Sequence, residues 1–140
     1  MATVNTTEYG KWAAPAPATY MDTEWFGKVR WVYGSYTAAS LAAASSIRCA
    51  RLHPGERFIT GWVKAADLSS AGTLELGIIG GDTDHFMAAT VFTTAGQVTQ
   101  ANLNWGHQNT NATDDEIIGL TTAVEEMTGL IEVSLLIAGR

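Results

Sequence analysis

Residues 51–86, RLHPGERFITGWVKAADLSSAGTLELGIIGGDTDHF, decide the fold class. Leu74, Leu76 and Ile78 occupy every second position with Glu75 and Gly77 between them, the period of a strand with one buried face. Upstream, Ile59, Gly61, Val63 and Ala65 alternate with Phe58, Thr60, Trp62 and Lys64. His53-Pro54-Gly55-Glu56 enters the first strand as a turn, and Ser69-Ser70-Ala71-Gly72 links it to the second. The two strands are expected to be antiparallel and to nucleate the sheet. Gly80 to Phe86 then forms an acidic loop at the far end. None of this names a chemistry.

Working outward, Leu130 to Ala138 is the cleanest strand, with Ile131, Val133, Leu135 and Ile137 inward and Glu132 and Ser134 opposite. Glu116 to Thr122 reads as another, and Gln97 to Trp105 as a weak alternation of Val98, Ala101, Leu103 and Trp105. Phe86 to Phe92 is open between helix and strand: Met87, Ala88 and Ala89 favour the first, Thr90, Val91 and Phe92 the second. Ser46 to Leu52 is a strand, and so is Gly27 to Thr37, with Val29, Trp31 and Tyr33 inward and Lys28 and Arg30 outward. Ala38 to Ser46 fits a short helix or a loop with one helical turn. About eight short strands between turn signals give an all-β protein, an antiparallel two-sheet β-sandwich of jelly-roll type. Residues 1–24 read as an extended N-terminal arm, stiffened by Pro15 and Pro17 and bearing Tyr9, Trp12 and Tyr20, with Trp25 just beyond; the sandwich domain spans 25–140.

At 140 residues the chain suffices for one domain with a sizeable core. Only 16% of residues are charged, a composition that suits either a surface buried against other chains or bland loops. The formal net charge is −6, and seven of the eight basic residues precede Ala65, too few and too scattered to track a phosphate backbone, so no nucleic acid partner is expected. No run approaches the roughly 18 apolar residues of a membrane span, so no membrane partner is expected. The start, Met1-Ala2-Thr3-Val4-Asn5, lacks the pattern of a secretory signal, and the expectation is a chain made in the cytosol and soluble until assembled. Cys49, the single cysteine, sits in a strand and is expected to be a buried, inert thiol.

Enzymatic signatures are missing. There is no phosphate loop, dinucleotide fingerprint, Gly-x-Ser-x-Gly elbow or Cys-x-x-Cys, and His53, His85 and His107 lack metal-type spacing. Asp82 and Asp84 after two glycines invite a calcium reading, but Phe86, Met87, Ala88 and Ala89 follow where an EF-hand would supply further oxygen ligands. A Gly-permitted turn with local side-chain bonds is the simpler expectation. His85 has no accompanying nucleophile. The expectation is therefore no enzyme, no cofactor and no metal. A carbohydrate- or host-surface-binding module is the alternative, with Trp12, Trp62 or Trp105 as a stacking platform.

The chain resembles a family of small virion structural proteins of tailed bacteriophages, most closely the capsid decoration (cement) proteins. The resemblance rests on the Met1-Ala2-Thr3-Val4 start with Thr7-Glu8-Tyr9, on Gly27-Lys28-Val29-Arg30-Trp31, and on Ala50-Arg51-Leu52, Pro54-Gly55 and Arg57-Phe58-Ile59. It continues through Ser70-Ala71-Gly72-Thr73-Leu74-Glu75-Leu76-Gly77 to Gly81-Asp82, Asp84, Phe86 and Ala88-Ala89, and through Thr128-Gly129 before the last strand. It implies a non-enzymatic protein, made in the host cytoplasm and carried on the virion capsid surface. The implied partners are the major capsid protein and further copies of itself, as a homotrimer. On that reading Tyr9, Trp12, Tyr20 and Trp25 are the expected capsid or subunit contacts, and Trp62, Asp82 and Asp84 oligomer contacts.

Overall fold

A computed structural model describes residues 1–6 and 29–139. Among these the regular elements are nine strands: β1 (Thr3–Asn5), β2 (Val29–Leu41), β3 (Ser46–Leu52), β4 (Arg57–Ala65), β5 (Thr73–Ile78), β6 (Met87–Val91), β7 (Gln97–Ala101), β8 (Glu116–Ala123) and β9 (Met127–Ala138). One sheet has the order β2-β9-β4-β7 and the other β1-β3-β8-β5-β6. From β2 to β9 the chain changes sheet at every connection except the β5–β6 hairpin, and the resulting orders are those of a jelly roll. β1 is added at the β3 edge and pairs with it in parallel, Thr3 opposite Ser46, the one departure from antiparallel pairing among the described residues. The aromatic residues of the expected arm, Tyr9, Trp12, Tyr20 and Trp25, lie outside the described residues.

The alternation between sheets corrects the reading of β4 and β5 as one pair. β4 lies between β9 and β7, whereas β5 lies between β8 and β6 in the opposite layer. The chain between Ala65 and Thr73 crosses the sandwich, anchored where Leu68 N–H donates to Phe92 O (3.0 Å) and Thr128 N–H to Leu68 O (3.2 Å). Phe58, assigned by alternation to the face of Trp62 and Lys64, is fully buried with Val63. A register shift between Phe58 and Thr60 against β9 changes the phase of the strand and turns both inward.

In β2 the two faces are the reverse of the expectation. Val29, Trp31 and Tyr33 point outward, and Val32 and Tyr36 pack against the core. Both phases of this strand are apolar, so alternation alone does not choose between them. Arg30 sits on the inner phase because its guanidinium meets the buried Glu56 carboxylate (Nη2 to Oε2 2.9 Å, Nε to Oε1 3.3 Å) and donates to Arg51 O. Residues 38–46 contain neither helix nor long loop: β2 continues to Leu41 along β9, with an irregularity between Ala38 and Leu41. Met87–Val91 is strand, held on the edge of β5, and the Gln97 strand stops at Ala101, short of Trp105.

The core is filled by Phe58, Phe86, Phe92, Leu74, Leu76, Leu120 and Leu135 among others, and by the inner face of β9 as expected: Ile131, Val133, Leu135 and Ile137 are all buried. Cys49 is among them, and burial pushes its thiol up to about 12, which leaves it un-ionised and unreactive at neutral pH. Gly77 faces Gly119 across the β5–β8 pair, and the backbone of the following loop lies directly over it. A Cβ on Gly77 would fall 2.3 Å from Asp82 O and 2.4 Å from the carbonyl carbon of Thr83. Because backbone must yield, Gly77→Ala is expected to cost about 2–3 kcal/mol. Equilibrium urea unfolding measures it, as a lower midpoint at unchanged slope.

Candidate interaction surface

The outer face of the β2-β9-β4-β7 sheet carries the large exposed side chains that its inner face cannot take. Directly opposed residues on neighbouring strands project on the same side, so the register defines rows across this face. Trp31 on β2 lies opposite Leu136 on β9, which lies opposite Thr60 on β4. In the next row Tyr33, Ser134, Trp62 and Gln100 follow one another across all four strands. Trp31 is 71% exposed, Tyr33 44% and Trp62 37%, with Val29, Val98 and Leu130 also exposed on the same strands. The border is polar: Tyr33 Oη donates to Glu132 Oε1 (2.8 Å), and Lys64 Nζ stands 3.8 Å from Glu132 Oε2. An apolar, aromatic centre with a charged margin is the anatomy of a protein contact.

At the β4–β7 side, Ile59, Thr60, Gln100, Asn102 and Trp105 line a shallow hollow. Gln100 Nε2 donates to Thr60 Oγ1 (3.2 Å), which donates to Ala101 O (3.2 Å), so the hydroxyl and one amide are fixed beside the 74% exposed Trp105 ring.

Asp82 and Asp84 lie elsewhere, in the β5–β6 loop at one end of the sandwich. His85 Nδ1 lies 2.9 Å from Asp82 Oδ2, and Thr83 Oγ1 donates to Glu75 Oε1 (2.6 Å). The bond from His85 holds the Asp82 carboxyl below the usual carboxylate range, while hydrogen bonding and repulsion from Asp82, with Glu75 beyond, push Asp84 up. No group of three or more His, Cys, Asp or Glu suited to a metal ion occurs among the described residues. Nor is any helix there long and apolar enough to cross a membrane.

Of the expected contact residues, the structure therefore places Trp62 on the aromatic sheet face and Asp82 and Asp84 at the loop end, apart from it; Tyr9, Trp12, Tyr20 and Trp25 fall outside the described residues. Alternation alone puts Trp31 and Tyr33 on the inner face, whereas both are exposed, and Val98 and Leu130 carry no signal beyond ordinary strand pattern.

No protein-family model matches the chain, and no curated protein does. Solved structures do. A chain of the Ralstonia phage GP4 capsid superposes with a TM-score of 0.71 at 18% identity, covering 99% of this chain and 98% of that one. The fold is shared with a chain of a phage capsid. A chain of the cyanophage Pam1 capsid asymmetric unit gives a TM-score of 0.68 at 19% identity, over 91% and 96% of the two chains. One from the acid-stable capsid of Helicobacter pylori bacteriophage KHP30 gives 0.60 at 8% identity, over 83% and 90%.

Proposed function

We propose that this chain is a non-enzymatic head decoration (cement) protein of a tailed bacteriophage, bound as a homotrimer to the outer capsid surface and bridging major capsid subunits. The reading is carried by one observation: the chain shares its fold, over 91–99% of its length, with nearly full-length chains from phage capsid structures. The aromatic face of the β2-β9-β4-β7 sheet supports it, because a protein that lives among neighbours requires a covered apolar surface. Trp31 and Trp62 are its anchors on this reading, and Tyr9, Trp12, Tyr20 and Trp25 a second contact. Asp82 and Asp84 belong to contacts between copies. Each contact is weak alone and gains from the effective concentration that the others create.

The test is cosedimentation with capsid shells, together with light-scattering mass of the free protein. Wild type is expected to sediment with shells and to have the mass of a trimer. Replacing both Trp31 and Trp62 by Ser is expected to weaken occupancy at least about tenfold, given what central aromatics contribute to interfaces. Unchanged occupancy would remove this sheet face from the contact. A wild-type monomer that ignores capsids would overturn the decoration reading.

A carbohydrate-binding role is the second reading, favoured by the hollow in which Thr60, Gln100 and Asn102 surround the open Trp105 ring. Aromatic stacking plus a fixed amide and hydroxyl is the chemistry that holds a sugar ring. A glycan array in which binding is lost with Trp105→Ala would support it, and a blank array would dismiss it.

A further inference from the structure

The strands run alternately up and down the sandwich, so the β3–β4, β5–β6 and β7–β8 connections gather at one end. They bring all three histidines of the sequence there. His53 pairs through Nδ1 with Asp115 Oδ1 (2.8 Å), and Arg51 Nη1 lies 3.6 Å from the other oxygen of Asp115. The other two histidines touch each other. His85 Nε2 and His107 Nδ1 are 3.2 Å apart, with the rings edge to face at a centroid distance of 4.7 Å. Their outer nitrogens both reach carboxylates: His85 Nδ1 to Asp82 Oδ2 and His107 Nε2 to Glu116 Oε2, each at 2.9 Å. Phe86 packs against both rings at 5.0 and 5.6 Å and holds their planes.

Four side chains thus stand in line with three hydrogen-bond contacts between them. Every link needs one proton. An ionised carboxylate brings none, and a neutral imidazole brings one. Two carboxylates and two neutral imidazoles supply two protons for three links, so one contact would set lone pair against lone pair.

We propose that Asp82, His85, His107 and Glu116 form a single proton-capture site that takes up one shared proton and thereby latches the β5–β6 loop to the β7–β8 loop and to β8. Further carboxylates stand around the line. Asp84 adjoins Asp82, Glu75 stands behind Thr83 on β5, and Asp115 precedes Glu116. Among the described residues, the cations at this end have other partners: Arg57 of β4 holds Gly106 O (3.0 Å) and Gln108 Oε1 (2.9 Å), Arg51 faces Asp115, and Arg30 pairs with Glu56 (2.9 Å). Asp82, kept ionised by its bond to His85, remains an acceptor. The latch closes on acidification from alkaline pH. Over the range in which the folded chain has taken up this proton and the unfolded chain has not, the folded state binds more protons. Stability therefore rises as pH falls. The gain stops growing below about 6.5, where histidines of the unfolded chain protonate as well, and it is lost once the carboxylates are neutralised.

Long-range proton–nitrogen NMR of the full chain, with nitrogen-15 in histidine, tests this between pH 8.5 and 5. His85 and His107 are expected to titrate as one unit, the facing nitrogens moving together while the outer two stay protonated. His107→Gln should displace the His85 profile by about 1 pH unit, the scale of strongly coupled sites, and leave His53 where it was. Glu116→Gln preserves side-chain shape while removing one negative end, and should move the joint uptake to more acid pH; it serves equally if His107→Gln fails to fold. Independent profiles for the two histidines, with neither variant displacing His85, would overturn the proposal.

Discussion

Phe58→Ala is expected to remove about 3–5 kcal/mol of stability, the range for deleting a fully buried aromatic ring. The ring is inaccessible to solvent and stacks on Phe86 with centroids 4.0 Å apart and planes 26° apart. The site cannot collapse around the loss. Phe58 N–H donates to His107 O (2.8 Å) and Phe58 O accepts from Gly106 N–H (2.9 Å), so β4 is tied to the β7–β8 loop on both sides of the residue. β9 lies alongside, paired at Phe58↔Ile137. The cavity therefore stays open, and its surface adds to the lost transfer energy. Equilibrium urea unfolding reads the effect as a lower midpoint with little change of slope. A loss under about 1 kcal/mol would mean that the two phenylalanines do not form a packed centre.

Glu56→Ala is the second large effect, at about 2–4 kcal/mol. Glu56 is completely buried and accepts from Arg30 Nε and Nη2 and from the His53 backbone N–H (2.8 Å). Removing the carboxylate leaves a guanidinium and a backbone donor without their partner, and breaking a buried pair by deleting one member costs about 3–5 kcal/mol. The Arg30 side chain is 31% exposed and can recover some hydration, which lowers the expected figure. Glu56→Gln keeps an acceptor for the His53 N–H and should lose less. Thermal unfolding of the three proteins at one pH gives the ranking: wild type, then Gln, then Ala. If Ala equals wild type, the pair does not anchor β2 to the β3–β4 turn.

Both variants touch features that differ in how far the amino-acid order reveals them. The His53-Pro54-Gly55-Glu56 turn is legible as a turn, and Gly55 takes φ of 86° there, a value L side chains rarely adopt. That its glutamate is buried and answers an arginine on another strand is not legible, because the separation is 26 residues and only the closed sandwich joins them. The histidine chain is similar. Asp82 and His85 are neighbours in sequence, but His107 and Glu116 reach them only because the β5–β6 and β7–β8 loops share one end.

The all-β class, the inner face of β9 and the alternation in β5 were decided by the order of residues alone, whereas the short β1 and the strand state of Met87–Val91 were not. A period of two in hydrophobicity is a local property that needs no knowledge of neighbours. Pairing was not decided there: β4 and β5, adjacent in the chain, went to opposite layers, since a turn sequence states that the chain reverses but not which sheet receives it. Nor was the outward face of β2, where two equally apolar phases competed until Arg30 found Glu56 and the inner positions filled. The exposed patch of Trp31, Tyr33 and Trp62, spread over two adjacent rows, exists only because separate strands were brought into register, and that is a product of tertiary packing.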